Sequence, residues 1–196
     1  MNLSSISLCS LFLALLAAAP AAAQNEQPTP EQIAEFQKLA EPGEHHKHLG
    51  VLEGKWALTL TSEGAPGGEA TETKGKANYR WILGNRYLVE EVETEFFGQK
   101  MEWMGIYGYS NIEKKYTGTW HDNFGTDTER GEGQCSDDGK VISFDGEMPN
   151  PMGEGKQTFK WVINLKEKDK MSITMYMPGP DGKDAKMLEI AGTREK

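Results

Sequence analysis

Cysteine is almost absent. The chain has two, Cys9 and Cys135, and only Cys135 lies beyond the apolar start of the sequence. One remaining thiol cannot close an intramolecular disulfide, so stability has to come from a packed core. A lone thiol can bridge two chains or act as a nucleophile; the commoner case is a buried apolar cysteine. Sequence signatures of catalysis are lacking too. There is no G-x-S-x-G, and the serines beyond the apolar start, Ser62, Ser110, Ser136, Ser143 and Ser172, fall mainly in turns or at strand ends. Gly-Lys pairs recur, but none is followed by Ser or Thr, so no phosphate loop exists. No H-E-x-x-H spacing occurs, and no internal repeat stands out.

No apolar run is long enough to span a bilayer comfortably. Residues 1–23 carry no charged side chain, and the stretch Leu8–Ala19 ends in small residues. This reads as a secretory signal peptide with cleavage after Ala21-Ala22-Ala23, although its start lacks Lys or Arg. Cys9 follows Leu8 and comes too early for lipidation, so no membrane anchor is expected after cleavage. The expected location is extracytoplasmic, in periplasm or medium. Removing 23 of 196 residues leaves 173, enough for one domain that buries roughly 70% of its unfolded surface. The formal charge of −9 falls wholly on this mature part. It opposes nucleic acid or an anionic membrane as partner, and neutral or cationic ligands fit it better.

Residues 24–29 are polar and read as a flexible tail, leaving 30–196 as a single domain. Thr29 can cap a helix, with Pro30 at its first position and Gln32 completing a capping box. Ile33, Phe36, Leu39 and Ala40 form one apolar stripe before Pro42-Gly43 stops the helix. A second short helix over Glu44–Leu52 offers Leu49 and Leu52 to the same core, and Gly54 ends it. From Lys55 the period changes to two, with about ten β-rich runs separated by Gly, Asn, Asp and Pro. The clearest are Phe159, Trp161, Ile163, Leu165 and Met171, Ile173, Met175, Met177. The runs 79–83, 87–96 and 101–109 place apolar residues on both faces, as if covered on both sides. So many strands joined by short turns predict a mainly β fold. An antiparallel up-and-down barrel with one or two N-terminal helices is the economical form, and a two-sheet sandwich is the alternative.

The segment from Pro42 to Trp56 resembles Pro-Gly-x-x-His-x-x-Leu-x-x-Leu-x-Gly-x-Trp, the opening motif of the bacterial family known as domain of unknown function 1579. Leu83-Gly84-Asn85-Arg86-Tyr87-Leu88 is similar to its Leu-Gly-Gly-Arg-Tyr/Phe-Leu turn, with Asn85 for the second glycine. Gly108-Tyr109, Lys115-Tyr116 and Thr119–Thr126 resemble its central stretch. Asn150-Pro151-Met152 stands where Asp-Pro-Met is usual, and Asp181-Gly182-Lys183, Lys186-Met187 and Thr193-Arg194 resemble its end. The resemblance covers about residues 42–196. It implies a lipocalin-like barrel and brings no activity, substrate or catalytic residue with it. In lipocalin-like barrels a Gly-x-Trp at the first strand packs beneath an Arg of the last, a cation–π stack worth about 0.5–2 kcal/mol. Gly54, Trp56 and Arg194 suit that closure; the alternative is that Trp56 is plain core.

Three of the four histidines fall in Glu44–His48. His45 and His48, one helical turn apart, can bind one metal if His121 or Asp122 supplies a further ligand, the basis for a metal-dependent enzyme as a third reading; otherwise they are solvated. Haem would need a late histidine, as in distantly similar small barrels, and none follows His121, leaving ligation by Tyr or His121. No cofactor is expected. Glu91, Glu93 and Glu95 share one strand face, and Glu90 takes the other. If Glu90 points inward beside Arg80 or Arg86, it is a buried ion pair or a ligand anchor. The favoured function is a non-enzymatic barrel holding a small, partly apolar ligand, lined by Glu90, Trp103, Tyr107, Trp120, Trp161, Met171, Met175 and Met177. The competing reading is a solid barrel that engages another protein.

Overall fold

The computed structural model describes residues 27–63, 69–96, 98–150, 153–165 and 167–196. The expected signal peptide, the first half of the expected tail and residues 64–68, where the sequence EGAPGG predicts a turn, lie outside the described residues.

Helix α1 spans Pro30–Ala40 and α2 spans Glu44–Gly50. Ten strands follow: β1 Gly54–Ser62, β2 Thr71–Ile82, β3 Tyr87–Phe96, β4 Gln99–Ser110, β5 Lys115–Asp122, β6 Glu129–Cys135, β7 Val141–Pro149, β8 Lys156–Asn164, β9 Lys170–Pro178 and β10 Asp184–Arg194. Each pairs antiparallel with the next, and β10 returns to β1, so the sheet closes into one up-and-down barrel. Closure rules out the two-sheet sandwich.

In α1 the capping box forms as the sequence predicts: Thr29 N donates to Gln32 Oε1 at 2.8 Å, and Gln32 N donates to Thr29 Oγ1 at 3.2 Å. The apolar stripe does not enter a core, however. Ile33 is 45% and Phe36 67% exposed, and no residue of α1 is buried. In α2, His46 is buried and its Nδ1 accepts from Gly43 N, satisfying an otherwise orphan helix-start donor. Leu49 and Leu52 are fully buried and join the barrel core.

Alternation along the strands sends Trp56, Leu58, Leu60, Ala77, Tyr79, Leu88, Val92 and their counterparts inward. Aromatic rings this large fit because the positions beside them lack a side chain. A Cβ on Gly118 would come 2.5 Å from the Trp120 ring, and one on Gly133 would come 2.8 Å from the Phe144 ring. The outer face of β3 and β4 is not covered by a second layer, contrary to the two-faced apolar pattern. Tyr87 and Met104 are exposed there, while Val89 is buried because Arg80 and Ile106 flank it in register.

Trp56 and Arg194 face each other across the β1–β10 seam. The guanidinium carbon lies 4.3 Å from the centre of the indole ring. Arg194 also ties the ends of the chain together: Nη1 donates to Glu53 O, Nη2 to Val51 O at 2.6 Å, and Nε to Asp169 Oδ1 at 3.0 Å. The indole N–H donates to Leu52 O at 2.7 Å. Gly54 sits at φ +113, where a side chain would be strained and its Cβ would crowd Arg194 Nη1 at 3.2 Å. Gly-x-Trp and the late Arg therefore form one device.

Replacing Trp56 by Ala should destabilise the domain by about 3–5 kcal/mol, as for a fully buried aromatic. Arg194→Lys keeps the charge but cannot serve two carbonyls and a carboxylate together, and should cost about 1–3 kcal/mol. Urea denaturation of both variants checks this. A lysine variant as stable as the wild type would show that the fork contributes nothing.

Candidate functional site

Glu90 lies on β3, points into the barrel and is 1% exposed. Its cross-strand neighbours are Tyr79 on β2 and Gly105 on β4. Tyr79 Oη donates to Oε1 at 2.5 Å, Tyr107 Oη donates to Oε2 at 2.7 Å, and Trp120 Nε1 donates to Tyr107 Oη at 2.9 Å. Gly105 makes room, since a Cβ there would come 2.6 Å from Oε2. Burial raises the Glu90 pKa, opposed in turn by the hydrogen bonds of Tyr79 and Tyr107. Burial, then the neighbouring carboxylate, pushes both tyrosines well above their ordinary value, so they remain donors.

Neither arginine expected beside Glu90 is there. Arg80 is on the opposite face of its strand and pairs with Glu91 at 3.2 Å, as strict alternation requires of a residue next to inward Tyr79. Arg86 turns back to donate to Leu83 O and Gly84 O of its own turn. Glu90 is held by hydroxyls rather than by a cation.

At the end of the barrel away from α2, the interior opens into a cavity of about 470 Å³. Its wall is mostly apolar: Leu60, Phe96, Met101, Trp103, Trp120, Phe159, Trp161, Met175, Met187 and Leu188, with Thr71, Thr73 and Thr94. A register shift between Lys186 and Leu188 on β10 brings the successive residues Met187 and Leu188 to the same lining. Ser62, Glu95, Gly98, His121, Asp122 and Glu129 complete it. Two lining residues carry unmet donors. The indole Nε1 atoms of Trp103 and Trp161 are buried without a hydrogen-bond partner. Both indoles still act on the network, lowering the pKa of Glu90 and of Tyr107 respectively, so they lie near it without bonding geometry.

Of the residues that alternation nominated, Trp103, Trp120, Trp161 and Met175 line this cavity. Glu90 and Tyr107 form the polar network to which the cavity residue Trp120 is bonded. Met171 does not line it; it is buried near Leu58, both of them close to Gly192, and Met177 is a half-buried residue at the margin of the core. Among the acidic lining residues, Glu129 is the one that the sequence left unmarked. Its strand, Glu129-Arg130-Gly131-Glu132-Gly133, carries glycine where an inward apolar residue would reveal the alternation.

The histidines do not form one site. His45 and His48 sit on α2, where each Nδ1 lies within hydrogen-bond distance of Tyr116 Oη, 3.2 and 3.0 Å respectively. His45 stacks on Tyr109 with ring centres 4.1 Å apart. Desolvation, then His48, lowers the pKa of His45, which favours the neutral ring. His121 lies five residues beyond Tyr116 on β5 and lines the open-end cavity instead, with Nδ1 3.4 Å from Thr128 Oγ1. Five residues of extended strand are about 16 Å, too far for a shared ion. Among the described residues no three His, Cys, Asp or Glu side chains are placed to hold a metal. Cys135 is half-buried rather than buried, with its thiol pKa raised first by burial.

Burial, then the like charge of Asp122, pushes the Glu129 carboxyl from its ordinary 4.5 up to about 7. In the unfolded chain it titrates lower, so between those values the folded state holds more protons and stability falls as pH rises. After allowance for solvent screening at a partly exposed group, the effect is about 1–2 kcal/mol. Glu129→Gln should be more stable than wild type by that amount at pH 8 and equal to it near pH 4.5, read by urea denaturation. Equal stability at both pH values would mean a freely solvated carboxyl.

The fold is similar to the crystal structure of Rv2717c from M. tuberculosis, at 16% identity and a TM-score of 0.57, the match covering 80% of this chain and 100% of that one. It is also similar to the S-type phycobiliprotein lyase CPES from Guillardia theta, at 10% identity and a TM-score of 0.51, covering 79% and 99% of the two chains. At such identities the likeness shows the fold alone. No curated protein matches the sequence. The family model described as a protein of unknown function, DUF1579, matches residues 41–194, from the helix that carries the histidines to the arginine that closes the barrel. The chain belongs to the DUF1579 family.

Proposed function

We propose that the protein is a non-enzymatic, extracytoplasmic binding module that holds one small, largely apolar molecule in the hollow half of its barrel. The observation that carries this reading is the cavity of about 470 Å³, lined by three tryptophans, two phenylalanines and methionines. That volume lies within the range of small-molecule sites, and the lining has their usual makeup of apolar wall with a few polar groups. The buried indole N–H groups of Trp103 and Trp161 support it further. An unmet buried donor costs about 1–3 kcal/mol, which a ligand acceptor reaching either indole would recover. Methionine adds tolerance, since Met101, Met175 and Met187 can adapt to varied shapes.

The protein-interaction reading keeps one observation in its favour, the exposed apolar stripe of Ile33, Phe36 and Leu39 on α1. A solid barrel, which that reading assumed, does not match the open half of the interior.

Met175→Trp separates the two. Wild type should bind the neutral fluorophore N-phenyl-1-naphthylamine with a blue-shifted emission, and the variant should lose binding while its melting temperature stays nearly unchanged. Absence of binding by wild type, together with a loss of about 1–3 kcal/mol in the variant, is the signature of an overpacked solid core and would sink the ligand reading.

A further inference from the structure

The charges around the cavity are one-sided. Glu95, Asp122 and Glu129 belong to its lining, and among the described lining residues there is no lysine or arginine. Asp122 is held as a fixed acceptor, its Oδ1 taking the backbone N–H groups of Phe124 at 2.7 Å and Gly125 at 2.9 Å. Glu129 has no such engagement: burial and the like charge of Asp122 act on it, and no described basic group offsets them. On the neighbouring strands, β5 brings His121 and Asp122 toward it, whereas on β7 Asp145 and Glu147 are exposed on the outer face, Glu147 paired with Lys156. On β6 itself Arg130 and Glu132 are exposed on the outer face. The independent sign of a ligand is Trp161, a lining residue only 7% exposed whose indole N–H is unpartnered, a donor that an acceptor on the same molecule, away from its charged centre, would satisfy.

From this we infer that the cavity selects a cationic apolar molecule, an amine or quaternary ammonium on an aromatic or alkyl body, with Glu129 as its counter-ion. The inference rests on the binding role proposed above and narrows it. A half-buried carboxylate without a cation is unfavourable, and a ligand ammonium beside Glu129 supplies the missing partner. The faces of Trp103, Trp120, Trp161, Phe96 and Phe159 add cation–π attraction in a partly dry site. The net charge of −9 draws cations to the protein from a distance. A fatty acid meets the opposite situation, since its carboxylate would lie among Glu95, Asp122 and Glu129 with no described lysine or arginine to receive it.

The sign of the pH dependence follows. Raising the pH through about 7 ionises Glu129 and strengthens cation binding; acidification neutralises Glu129 and weakens it. Bound cation favours ionised Glu129, so binding near neutral pH releases a proton.

The test uses three naphthyl probes on the mature protein: neutral N-phenyl-1-naphthylamine, a 3-naphthylpropyl trimethylammonium, and the carboxylate of equal length. At pH 8 the ammonium should bind at least about tenfold more tightly than the carboxylate, a difference of about 1.4 kcal/mol. The ratio should shrink severalfold at pH 5.5. Glu129→Gln should bring it close to one, and Glu129→Asp should restore part of it. If the neutral probe binds but the carboxylate binds as well as the ammonium, or if Glu129→Gln leaves the ratio intact, charge selection is overturned and the cavity stands. If folded wild type binds none of the three, the cavity reading falls and this inference with it.

Discussion

Ten strands closed on themselves enclose more room than aliphatic side chains can fill, since a barrel's width grows with strand number and eight already leave space for a small ligand. The protein meets this constraint in two ways along one axis. Toward α2 the interior is filled by Leu49, Leu52 and rings such as Trp56, Tyr116 and Phe144, admitted by inward glycines. Toward the other end filling stops, and the cavity begins.

Between the filled and open halves lies the Glu90 network. A carboxyl without a cation at the centre of a barrel would be a liability if its oxygens were not saturated. Two tyrosine hydroxyls and, behind one of them, an indole saturate it. Such a network fixes ring orientations as well as charge. Trp120 is held by its bond to Tyr107, so the wall it presents to the cavity is preorganised rather than free to collapse inward. The same bonds explain how a hollow half can persist next to a packed one.

Much of this was legible in the sequence, for identifiable reasons. Alternation of period two exposes a strand whenever one face is apolar, and β8 and β9 announce themselves through Phe159, Trp161, Ile163 and Met171, Ile173, Met175. Ten runs joined by short turns admit few arrangements, and the Gly54, Trp56 and Arg194 triplet fixed how the ends meet. What escaped lies where a strand is built against the pattern. β6 turns Gly131 and Gly133 inward to accommodate the rings of Trp120 and Phe144, so its inward acid, Glu129, had no apolar company to mark it. Glu90 was placed inward correctly, but its partners were sought among arginines. Charge complementarity suggests arginine, whereas register supplies Tyr79 directly opposite. The α1 stripe failed differently, because helical periodicity reports a face that can be buried and not that a surface exists to bury it.

The seam between β1 and β10 also sets an order in time. Arg194 and Glu53, joined there, are 141 residues apart in sequence. A chain that emerges from its N-terminus, from a ribosome or through a translocation pore, exposes β1 first and must keep one of its edges unpaired until the last strand arrives. Hairpins β2 to β9 can form as they appear, but the ring cannot shut, and Trp56 cannot receive its cation, before β10 and Arg194 are out. Arrival of β10 thus becomes the event that seals the barrel. A chain lacking β10 would present an open sheet edge for other chains to pair with.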